Sequence, residues 1–98
     1  MQTLVVLYGH PLDHDAFRHH FATVHLPLAR NIPGIRNYRH SHQLTGTEGT
    51  APYFALFEAD FDDEQAMREA MTTAEGQLAN ADIPHFASGG VTVFTYRR

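Results

Sequence analysis

The chain contains no cysteine and no lysine. Without cysteine there can be no disulfide, no thiolate metal site and no thiol nucleophile. Without lysine there is no Schiff-base amine and no phosphate-loop lysine. Serine occurs twice, at Ser41 and Ser88, and neither has the G-x-S-x-G setting of a serine hydrolase. Positive charge is sparse: seven scattered arginines against 11 acidic residues give a formal net charge of −4, which is no footprint for nucleic acid. No apolar run is long enough for a membrane span, and the first residues lack a charged-then-apolar leader. These absences leave a soluble domain, expected in the cytoplasm. Its 98 residues suffice for one domain, residues 1–98, around a single modest core.

What is present is a clear alternation of elements. Residues 3–8 (TLVVLY) read as a strand that is apolar on both faces and therefore central in its sheet. Asp13 can cap a helix on which Phe17, Phe21, Val24 and Leu28 form one stripe, ended by Pro33-Gly34. Residues 35–43 alternate weakly as a polar strand. Residues 45–52 (TGTEGTAP) form a loop by composition. Residues 53–61 alternate well, with Tyr53, Ala55, Phe57, Ala59 and Phe61 on one face and Phe54, Leu56, Glu58 and Asp60 on the other. Asp62 with Gln65 resembles a capping box before a stripe of Ala66, Met67, Ala70 and Met71. Thr73 can cap a short further piece through Leu78, and residues 91–96 (VTVFTY) close the chain as a strand.

The order β-α-β-β-α-β predicts an α+β, ferredoxin-like domain with a four-stranded antiparallel sheet and both helices on one face. Strands one, three and four also carry apolar side chains on the other face. A monomer would expose that patch, so a homodimer with two sheets facing each other is expected.

Four segments carry a family resemblance: residues 7–17 (LYGHPLDHDAF), 24–35 (VHLPLARNIPGI, with Thr23 just before), 51–63 (APYFALFEADFDD) and 74–94 (AEGQLANADIPHFASGGVTVF). In this order and spacing the chain resembles the EthD-like family, the ethyl tert-butyl ether degradation proteins, of the dimeric α+β barrel group. The resemblance implies a homodimeric barrel with a pocket between sheet and helices. Related barrels include isomerases, dehydratases, cyclases and cofactor-free monooxygenases, so no cofactor is expected; a haem-handling barrel is disfavoured, because nothing identifies His25 as an axial ligand.

Three roles are open to His25, within HLPLA: packing, metal ligation or catalysis. It flanks the apolar stripe, with His20 on the other flank and His19 pointing away. Pro27 removes the N–H that would meet the Thr23 carbonyl, so a bend is expected there, with that carbonyl free to accept the His25 ring N–H. His20 and His25 are five residues apart, about 140° around an α-helix, and so share no face for a metal. No metal site is expected. Glu58 is the candidate charge partner of His25, with a solvent-facing edge glutamate as the alternative. Tyr8, Tyr38, His40, His42 and Phe54 are candidate binding residues, although the parity of the second strand is unsettled.

The expected function is that of a small catabolic or biosynthetic accessory enzyme. It would act by proton transfer on a small, largely apolar organic ligand, as an isomerase, dehydratase or cyclase does, with His25 as general acid/base. The alternative is a non-catalytic ligand-binding protein of a degradation pathway.

Overall fold

The computed structural model describes residues 1–98. The strands are β1 (Gln2–Tyr8), β2 (Arg36–Ser41), β3 (Ala55–Phe61) and β4 (Val91–Arg97), in the order β2-β3-β1-β4 with every neighbouring pair antiparallel. Between β1 and β2 runs one helical arm. It begins as α1 (His14–His20), passes through a π-helical turn (Phe21–His25) and ends as α2 (Leu26–Arg30). Between β3 and β4 lie α3 (Glu64–Thr72), α4 (Ala74–Asp82) and a short 3₁₀ turn (Ile83–His85). This is the ferredoxin-like α+β arrangement that the sequence predicts.

Side-chain alternation fixes which sheet face is covered. Val6, Tyr8, Ala55, Phe57, Ala59 and Phe61 point to the helices and join Phe17, Phe21, Met67 and Phe86 in one core. The opposite face carries Leu7, Leu56, Phe94 and Tyr96; Phe94 and Tyr96 remain 47% and 40% exposed. On that face Asp60 is fully buried, taking hydrogen bonds from Thr3, Asn37, Arg39 and Arg98. Burial pushes its pKa up, but those bonds and the two guanidinium charges outweigh it, and the carboxyl ends below its ordinary value.

Local signals account for most boundaries. The Asp13 side chain accepts from Ala16 N at 3.0 Å, and Thr73 accepts from Gly76 N at 3.0 Å. Two boundaries differ from expectation. The cap of α3 is Asp63, 2.7 Å from Ala66 N, while Asp62 instead pairs with Arg36 at 2.8 Å. The piece after Thr73 runs four residues beyond Leu78, to Asp82. In β2, Arg36 faces Asp60 but Arg39 faces Glu58, so Asn37 and Tyr38 form a bulge, with Asn37 at φ 49°. Asn tolerates that left-handed conformation, and the extra residue scrambles the alternation along the strand. No helix is long and apolar enough to cross a membrane.

Candidate functional site

The site begins with the turn that breaks the helical arm. Pro27 cannot donate to the Thr23 carbonyl, and its ring would press on that carbonyl in a regular α-helix. The chain widens by one residue instead: Leu26 N bonds to Phe21 O, an i→i−5 contact. Thr23 Oγ1 donates to the His19 carbonyl at 2.7 Å, occupying an acceptor beside the altered ladder. The added residue changes the phase of the arm. His20 and His25, predicted on different faces, are brought to the same one.

Both meet Asp82, the last residue of α4. His25 Nδ1 lies 3.0 Å from Asp82 Oδ2. His20 Nε2 lies 2.9 Å from Oδ1 and 3.0 Å from Oδ2. A carboxylate only accepts, so Nδ1 of His25 carries the hydrogen in this pair and Nε2 keeps its lone pair. The partner that sequence reasoning assigned to the His25 ring, the Thr23 carbonyl, is replaced by this carboxylate. Burial lowers the His25 pKa from 6.5; the bond to Asp82 and its charge pull it back up in part, and His20 adds to the lowering. The ring is held neutral, with its acceptor nitrogen unpaired.

His25 lines a cavity of about 820 Å³ between the helices and the covered sheet face. Leu4, Val6, Phe57, Met67, Met71 and Ile83 make most of its wall apolar, and Gln77 and Asn80 supply polar groups from α4. Tyr8 lines the same cavity. Burial first, and then the Asp82 charge, raise the pKa of its hydroxyl, so it stays a protonated donor. Gly76 lets α4 approach this closely, because a Cβ there would run into the Ala70 carbonyl. The arrangement offers an oriented base and a protonated donor on the wall of a largely apolar cavity.

Residues 9–90 match the EthD domain. The chain belongs to the EthD family. A protein of Rhodococcus erythropolis described as an uncharacterised 11.0 kDa protein in the thcB-thcC intergenic region is 34% identical to this EthD chain over 94 residues, 95% of this chain and 90% of that protein. The crystal structure of an EthD family protein from Bacillus halodurans superposes with a TM-score of 0.94 at 31% identity, covering 100% of this chain and 98% of that one. A dimeric ferredoxin-like protein of unknown function from Thermobifida fusca shares the fold, with a TM-score of 0.76 at 17% identity over 99% and 90% of the two chains.

Of the residues singled out in sequence, the EthD chain brings only His25 and Tyr8 to the cavity. Glu58 points to the opposite sheet face and binds Arg39 at 3.1 Å, so it is not the charge partner of His25. Strand register decides this, because Glu58 pairs with Val5 and Arg39, both on that face. His40 and His42 do face the helices, but their rings pack on Phe21, 5.2 and 4.9 Å away, outside the cavity wall. Tyr38 stacks on Phe57, half exposed, and Phe54 is buried against Phe17. No group of three or more His, Asp or Glu side chains is arranged to hold a metal ion. The residue that sequence reasoning missed is Asp82. Its signal was faint: an acid one residue before Ile83-Pro84, with no local partner.

Proposed function

We propose that this EthD protein is a homodimeric proton-transfer enzyme for a small, largely apolar organic molecule, with His25 as general acid/base. The observation that carries the reading is the 3.0 Å contact of His25 Nδ1 with a buried carboxylate, made while the same ring lines a largely apolar cavity that opens to solvent on one side. Asp82 then orients the ring and stabilises the imidazolium formed when Nε2 takes a proton. Nε2 accepts a proton from one atom of the bound molecule and returns it to another. This is isomerisation, or elimination of water when the proton goes to a leaving hydroxyl. Tyr8 donates a hydrogen bond to an oxygen of the ligand and holds it beside Nε2. The apolar wall favours a ligand with few polar groups, and it strengthens the electrostatic effect of those that remain. Dimerisation covers Phe94 and Tyr96, and the dimeric relative from Thermobifida fusca supports it.

The test compares wild type, His25→Ala and His25→Gln on a panel of small cyclic ketones, lactones and hydroxylated aromatics. Turnover should fall by roughly two to four orders of magnitude in both variants, with the fold intact by circular dichroism. His25→Gln should fail like His25→Ala, because an amide donates a hydrogen bond but shuttles no proton near neutrality. Ligand affinity by calorimetry should drop by only about a kcal/mol, the net value of one hydrogen bond. Equal turnover in all three proteins would end the catalytic reading. Wild-type binding without turnover would make the cavity a carrier site.

A further inference from the structure

His25 and Asp82 have a role in that reading, and His20 has none. Yet His20 is held as firmly as the others. Its Nε2 contacts both oxygens of Asp82, and its ring stacks on Phe86 at 5.1 Å and 19°. Phe86 also packs against His25 at 4.8 Å, so one aromatic ring keeps both imidazoles on one carboxylate. Side-chain exposure rises along the series, from 6% at His25 through 10% at Asp82 to 26% at His20. The two ends also open into different spaces. His25 lines the cavity between helices and sheet, whereas His20 lines a separate groove with Asp13, His19 and His85.

We propose that His20 is a positioning residue that sets the proton state of His25 through their shared carboxylate, so that the buried base responds to proton uptake at the more exposed ring in the neighbouring groove. Its importance for catalysis rests on the acid/base reading of His25; the coupling itself does not. Two imidazoles here compete for one negative charge. Neutral His20 donates Nε2–H, fixes the carboxylate, and leaves its charge to stabilise a proton gained by His25. Protonated His20 takes up that charge for itself. A cation at buried His25 would then be uncompensated, and the ring loses basicity.

The other titratable groups around the unit are few. Asp82 comes from α4, and Tyr8, held neutral, comes from β1. At the groove, His85 comes from the 3₁₀ turn, and Asp13 and His19 from the arm itself. Asp13 is engaged with Ala16 N, and no hydrogen bond joins His19 or His85 to the unit.

The test follows the ring nitrogens of the full-length protein by ¹⁵N NMR across the histidine range, about pH 8 to about 5. In wild type the His25 signals should move in two steps, one of them shared with the His20 ring. His20→Gln keeps an N–H for Asp82 but takes no proton; the shared step should vanish and the His25 midpoint should move up. His20→Phe keeps the stack on Phe86 without the donor, and it should also lose the shared step. A His25 curve unchanged in both folded variants would overturn the proposal. The outcomes separate it from the enzymatic reading. Two-step titration with turnover indifferent to His25 would sink that reading alone. A single step in wild type, with turnover abolished in His25→Ala, would sink only the coupling.

Discussion

His20 and His25 are five positions apart, yet the nearest ring nitrogen of each lies 3.0 Å from the same oxygen, Oδ2 of Asp82. A regular α-helix would separate them by about 140°. The π-helical turn over Phe21–His25 removes that separation, and the candidate site depends on it. Such turns recur at functional sites because they re-aim side chains without breaking the helix.

Pro27, which has no N–H for the Thr23 carbonyl, causes the turn, and Pro27→Ala tests this. Restoring the N–H lets the α-helical ladder close onto Thr23, which rotates His25 away from Asp82. A crystal structure of the variant should show an α-helical arm with the His25–Asp82 contact broken. An unchanged π turn would mean that tertiary packing, rather than the proline, imposes it.

Asp82→Asn keeps the shape of the acid but removes its charge and its obligate acceptor character. Its amide can donate to Nδ1 of His25, which favours the tautomer with hydrogen on Nε2 and leaves no base facing the cavity. On whichever substrate the panel identifies, kcat should fall by roughly two to four orders of magnitude with little change in KM. A loss confined to KM would show that Asp82 serves binding only.

The pH dependence of stability follows from two histidines. Burial lowers the pKa of His25; burial, then the charges of His40 and Arg18, lower that of His42. Below the ordinary value of 6.5 the unfolded chain therefore binds protons that the folded chain does not. Their contribution is fully present above that pH and is lost as pH falls toward their lowered native values. The urea midpoint should drop between about pH 7.5 and about pH 5.5. His42 Nδ1 is also buried without a partner. His42→Phe should consequently flatten the drop and raise the midpoint at neutral pH. A parallel curve in the variant would show that His42 does not contribute.

The uncovered sheet face gives the last prediction. Phe94 and Tyr96 sit there, 47% and 40% exposed in one chain. A second copy burying them explains their character. Light scattering at micromolar concentration should give twice the chain mass for wild type and the chain mass for a Phe94→Asp, Tyr96→Asp double variant. A monomeric wild type would remove the barrel.

Local pattern determined much of this molecule. The alternation of residues 53–61 and the two apolar faces of residues 3–8 set the central strands, because a side chain's face on a strand is fixed by its parity alone. Asp13 and Thr73 set helix starts, because a cap acts on a backbone N–H three residues away. His25 is legible in sequence as a polar group flanking an apolar stripe, and Tyr8 as a candidate binding residue at the end of an apolar strand. Tertiary structure decided what they meet. The 3.6-residue period describes a regular helix and cannot register the single added residue that moves His25 round to His20. The bulge at Asn37 and Tyr38 did the same to β2, hiding that His40 and His42 face the helices. Asp82 lies 57 positions from His25. A pairing over that distance leaves no local trace, because it is made only when α4 runs on past Leu78 and packs beside the helical arm.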